Sequence, residues 1–194
     1  MGTKIAMILV CGLATFAGAS QARAGQLTDS ADLLFATPFV GAEFARVQTA
    51  TRDEYGVIGL QGLRMGPSLT LGGIGGVRLG PFAVGVLYQR TEGRNASANT
   101  GVILQKVYGE FALHIPYGAM VGVVHVDFGW AYLDTSGTIS QGVGGKLGAA
   151  LDYHVTRWLS LGAGAALDLQ GYSTRTELVG GWGATACGRL GLHL

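Results

Sequence analysis

Val124-His125-Val126-Asp127-Phe128-Gly129-Trp130-Ala131-Tyr132 is the stretch whose reading decides the fold. Val124, Val126, Phe128, Trp130 and Tyr132 share one parity, and His125, Asp127 and Gly129 share the other. Successive side chains of a strand point to opposite faces, so this period of two describes a strand with one apolar and one polar face. A helix would scatter both sets around its axis.

The same alternation recurs outward in both directions. Phe82, Val84, Val86 and Tyr88 oppose Ala83, Gly85, Leu87 and Gln89. Val107, Phe111, Leu113 and Ile115 oppose Lys106, Tyr108, Glu110 and His114. Val143, Leu147, Leu151 and Tyr153 oppose Lys146 and Asp152, while Leu167 and Leu169 oppose Asp168. Trp182, Leu190, Leu192 and Leu194 oppose Arg189 and His193. No stretch keeps a helical period. Gly, Pro and polar clusters divide the chain into eight expected strands: 37–48, 67–79, 82–92, 102–115, 119–134, 140–154, 157–171 and 181–194. Short connections at Gly80-Pro81, Pro116-Tyr117-Gly118 and Val155-Thr156 alternate with longer polar ones at 49–66, 93–101, 135–139 and 172–180. Short turns on one rim and longer loops on the other fit an antiparallel up-and-down transmembrane β-barrel.

Composition says which face meets which solvent. Only 13% of residues are charged while 48% are hydrophobic, and 34 of 194 are Gly. Typical proteins carry about 25% charged residues and about 7% Gly, so too few charges exist to coat a soluble surface. Collagen is excluded, because Gly has no period of three. A helical membrane protein is excluded too, since no uncharged run reaches the roughly 18–20 residues a spanning helix needs. The net charge of +1 offers no basic field for nucleic acid. An apolar face turned to lipid and a face of small residues turned to a narrow lumen satisfy the composition. Lipid cannot satisfy free backbone groups, so the sheet must close. An even strand number then puts both termini on one side, expected to be the periplasm. Phe82 and Tyr153 toward the turn rim, and Tyr88, Trp130, Tyr132 and Trp182 toward the loop rim, form two expected interfacial belts. Arg46 and Arg90 fall on the outward parity near the loop rim, where basic side chains snorkel.

The first residues read as an address. Lys4, the apolar run Ile5 to Phe16 and the small-residue stretch ending Ala22-Arg23-Ala24 describe a signal peptide over 1–24. Residues 25–36 are expected as a periplasmic lead and 37–194 as the barrel. Losing Lys4 and Arg23 leaves 11 basic and 12 acidic residues, with Cys187 the one cysteine beyond the leader, so no internal disulfide forms.

The inward parity collects Glu43, Arg78, Lys106, Glu110, His125, Asp127, Lys146, Asp152, Asp168 and Arg189. A buried charge needs a partner, so a salt-bridge network plugging the lumen is expected. A turn centred between Tyr117 and Gly118 would set Glu110 opposite His125 and Tyr108 opposite Asp127. Asp168 would lie diagonal to Lys146, and closure of the last strand on the first would bring Arg189 near Glu43. The histidines show no metal-ligand spacing. Gly72-Gly73-Ile74-Gly75-Gly76 is not a phosphate loop, because no helix follows it. Neither a cofactor nor a catalytic site is expected.

The leader, the alternating strands and the loop asymmetry together resemble the small OmpA/OmpX-type eight-stranded outer-membrane barrels of Gram-negative bacteria, over residues 37–194. Such proteins usually end in an aromatic residue read by the barrel-assembly machinery. Leu190-Gly191-Leu192-His193-Leu194 keeps the alternation but ends in Leu. No peptidoglycan-binding domain is expected after the last strand. The resemblance implies an outer-membrane location and a monomer with outer-membrane lipid and lipopolysaccharide as surroundings. It also implies a structural or surface-interaction role through the loops, chiefly 49–66 and 172–180. A small pore, a lipid-modifying enzyme and a soluble carrier are the alternatives. Lipid A deacylases of this architecture carry an H-x-S element, which neither His154-Val155-Thr156 nor His125-Val126-Asp127 matches.

Overall fold

The structure is a computed structural model that describes residues 34–52, 58–96, 98–135, 138–173 and 178–194. These form eight strands: β1 (Leu34–Arg52), β2 (Ile58–Leu79), β3 (Phe82–Arg94), β4 (Gly101–Tyr117), β5 (Met120–Thr135), β6 (Thr138–His154), β7 (Leu159–Ser173) and β8 (Leu178–His193). Each pairs antiparallel with the next, and β8 pairs back on β1 to close the barrel. Closure leaves no sheet edge to attract another chain. The expected leader and most of the lead lie outside the described residues. The lead was expected to reach residue 36, but β1 already begins at Leu34, whose N–H and C=O bond the Leu194 backbone.

The parity read from the sequence sets inside and outside. Val86, Phe111, Val126, Phe128, Leu147 and Leu167 are exposed on the outer wall. Leu87, Lys106, Tyr108, Asp127, Lys146 and Asp168 are buried inside. Tyr88, Val107, Trp130 and Val143 form a continuous outward row across β3 to β6. Phe82 and Trp182 are outward and exposed, while Tyr132 and Tyr153 are half-buried. Tyr117 and Trp158 add two exposed aromatics at the turn rim.

The β2–β3 turn is Gly80-Pro81 as expected, whereas the β4–β5 and β6–β7 connections depart from expectation. Gly80 and Gly118 both sit at φ +63°, a conformation glycine adopts without steric cost. Each takes the first position of a two-residue turn, so Leu79 pairs Phe82 and Tyr117 pairs Met120. Glycine at that position suits the tight turns that match strand twist. The β4–β5 turn is therefore Gly118-Ala119, one residue later than expected. The β6–β7 turn is longer than expected, closing as Val155 N–H donates to the Leu159 carbonyl at 2.9 Å.

At the other rim, the expected loop 49–66 is mostly strand. β1 and β2 stay paired out to Arg52 and Ile58, whereas β2 pairs β3 only from Leu69 onward, with a single bridge from Met65 to Asn95. β8 follows β1 as far as Thr49, so the β1–β2 pair runs on alone as a two-stranded ribbon from Ala50–Leu60 to Arg52–Ile58. A bulge lies between Glu43–Ser68 and Ala45–Met65, placing Gly66-Pro67 as the extra length. Pro67 has no N–H to give the ladder, which suits a bulge.

Candidate functional site

The lumen is filled in layers. One apolar cluster joins Ala45, Val47, Met65, Leu104, Leu133 and Tyr172 among others, all on the loop side of the charges. A second joins Phe35, Phe39, Ile74, Leu87, Tyr108 and Val123 among others, on the turn side. A polar layer lies between them.

Glu43 is wholly buried in that layer. One of its oxygens accepts from the Lys106 ammonium, and the other accepts from Gln89 Nε2 at 2.7 Å and from the Thr91 hydroxyl. The Thr91 and Thr70 hydroxyls lie 2.9 Å apart. Lys106 Nζ also lies 3.1 Å from Asp168 Oδ1. Lys146 donates to the Gln89 amide oxygen and stands 4.0 Å from the same Asp168 oxygen. β1 and β4, β4 and β7, and β3 and β6 are each three strands apart around the barrel. These bonds therefore cross the lumen rather than run along the wall.

The predicted lumen residues are all inward, but several expected neighbours are not. Glu110 lies opposite Asp127, not His125, because the turn at Gly118 shifts the register; Tyr108 lies opposite Gly129, not Asp127. His125 nevertheless reaches both acids along the strand face. Lys146 and Asp168 are directly paired rather than diagonal. Arg189 does not meet Glu43. It lies opposite Phe39, and its Nε stands 3.2 Å from Asp152 Oδ1. Glu43 lies beside Thr185 instead, four residues nearer the loop rim. Arg78 is inward but sits at the turn rim, donating to the Gly80 carbonyl at 3.0 Å.

Sequence reasoning missed two arrangements. Ser160 Oγ and His193 Nε2 lie 3.0 Å apart, with the His154 ring 4.8 Å from that of His193. Both residues of the pair are buried at the turn rim, away from the outer wall where a lipid-modifying enzyme needs its nucleophile. No spacing signal links Ser160 to His193; only closure of β7 on β8 does. The other missed feature is how glycine shapes the lumen. A Cβ on Gly144 would collide with the Tyr108 hydroxyl, and one on Gly72 with the Phe39 ring. Inward glycines there make room for inward aromatics.

Neither a protein-family model nor a curated protein matches the sequence. Solved structures match by shape. Neisserial surface protein A aligns with TM-score 0.65 and 12% identity, over 83% of this chain and 97% of that one. The Escherichia coli outer membrane protease OmpT aligns with TM-score 0.52 and 7% identity, over 85% of this chain and 98% of that one. Identity this low carries fold and not activity. In fold, the chain is a closed eight-stranded antiparallel β-barrel of the bacterial outer-membrane type.

Proposed function

We propose that this protein is an outer-membrane barrel with a closed lumen, which acts through its loop rim as a surface-interaction protein. The observation that carries this reading is the polar layer. Its lysines tie opposite walls together between two apolar clusters, leaving little room for a solute path. The β1–β2 ribbon then offers a strand-built surface at that rim. Burying charge costs several kcal/mol per ion, so a lumen this polar is stable only because nearly every charge meets a partner.

The outer wall supports a lipid surrounding with anionic headgroups. Arg46 and Arg64 lie directly opposite each other on β1 and β2, both outward near the loop rim. Like charges so placed destabilise a sheet unless an anion lies between them. Trp182 flanks Arg46 on β8, as an interfacial aromatic should. Lipopolysaccharide phosphates are the anions this rim would meet. Protease treatment of intact cells tests the orientation. Cleavage within 53–57 while the barrel stays intact is expected; protection of that segment, with cleavage at the Gly80 and Gly118 turns, would reverse it.

A further inference from the structure

Glu110 on β4 and Asp127 on β5 are direct cross-strand partners, and both point into the lumen. They are 3% and 1% exposed. Two carboxylates set opposite one another repel, and burial sharpens the repulsion. His125 stands beside them on the same face. Its Nδ1 lies 2.9 and 3.1 Å from the two Asp127 oxygens and 3.9 Å from Glu110 Oε2. Glu110 Oε2 is enclosed and has no hydrogen-bond partner. The cations nearby are engaged elsewhere: Lys106 with Glu43 and Asp168, Lys146 with Gln89, and Arg189 with Asp152. Two buried acids thus share a single imidazole.

We propose that Glu110, His125 and Asp127 are the protein ligands of a divalent transition-metal ion, with zinc the best chemical fit. One donor atom from each residue lies within 4.8 Å of the others. Zinc binds imidazole nitrogen and carboxylate oxygen at about 2.0–2.2 Å, which separates neighbouring ligand atoms by roughly 3 to 3.5 Å. The observed 2.9 and 3.9 Å separations bracket that range, so small side-chain rotations close the site. An imidazole with two carboxylates selects against magnesium and calcium, which prefer oxygen alone. Where the protein supplies three ligands, a water usually completes the set. The Nε2 side of the ring packs on Gly148, where any Cβ would collide with it. The ring is thereby held with Nδ1 toward the acids. The ion would enter as the barrel closes, since apolar clusters cover the layer on both sides. Nothing in this inference depends on what the rim does.

The test is metal retention by the chain folded into detergent in the presence of zinc chloride, then dialysed free of unbound ion. Elemental analysis of the folded form should give one zinc per barrel. Asp127→Asn and His125→Gln should each lower zinc affinity at least tenfold, with Glu110→Gln as the alternative if either fails to fold. Cobalt(II) in place of zinc should give a visible absorption band that the same variants lose. The turn-rim histidines provide the control, because His154→Ala and His193→Ala should keep the metal. No stoichiometric zinc on the unaltered barrel would overturn the proposal. So would retention unchanged in Asp127→Asn and His125→Gln, or loss only in the turn-rim variants.

Discussion

The Lys106 ammonium lies 3.1 Å from Asp168 Oδ1, on a strand three places around the barrel. The same nitrogen bonds Glu43 on a third strand. One cation on β4 therefore holds two acids across the lumen, on β1 and β7, and all three side chains are completely or almost completely buried.

Removing that cation should be costly. Lys106→Met leaves Glu43 buried without its counter-ion and Asp168 with only Lys146, 4.0 Å away, and breaking a buried pair from one side costs about 3–5 kcal/mol. Gel mobility after stepwise heating should show the folded form lost at a clearly lower temperature. Unchanged heat resistance would remove Lys106 from the network.

Arg189→Ala should also lower heat resistance, through Asp152 and not Glu43. The double change Arg189→Ala with Asp152→Asn should recover part of the loss, since neither charge is then left alone. Coupling of Arg189 to Glu43 instead would contradict the register of β1 on β8.

Val126 lies midway along β5 on the outer wall, opposite Phe111 and Leu147. Val126→Arg should cost about 2–4 kcal/mol for folding into bilayers, while Ile115→Arg near the turn rim should cost about 0–1 kcal/mol. Denaturant titration in lipid vesicles measures both. Equal costs would argue against lipid on that wall.

Gly144 leaves the space that the Tyr108 ring occupies. Gly144→Val should force Tyr108 from its place and destabilise the barrel by about 1–3 kcal/mol, as overpacking does. Paired with Tyr108→Ala, the same change should cost much less. The same heating assay reads both.

Much of the fold was legible. Parity in strands such as 82–92 and 119–134 fixes which side chains face inward, because a one-residue slip would expose every charge to lipid. Register was less legible, since it depends on which residue opens the turn. Gly118 rather than Tyr117 does so, and Glu110 therefore meets Asp127. Contacts across the lumen, such as Lys106 with Glu43, leave no spacing signal, because they depend on how far each strand is staggered around the closed barrel. The extension of β1 and β2 through 49–52 and 58–66 was hidden by polar and glycine residues. Thr49, Thr51, Gly59, Gln61 and Gly62 interrupt the apolar alternation there.

Closure of the lumen is the central claim, and single-channel recording in planar bilayers tests it most directly. The folded barrel is expected to show no stepwise conductance at moderate voltage, while Lys106→Ala combined with Lys146→Ala opens brief conducting events. Stable conductance steps from the unaltered protein would contradict a plugged barrel and favour a pore.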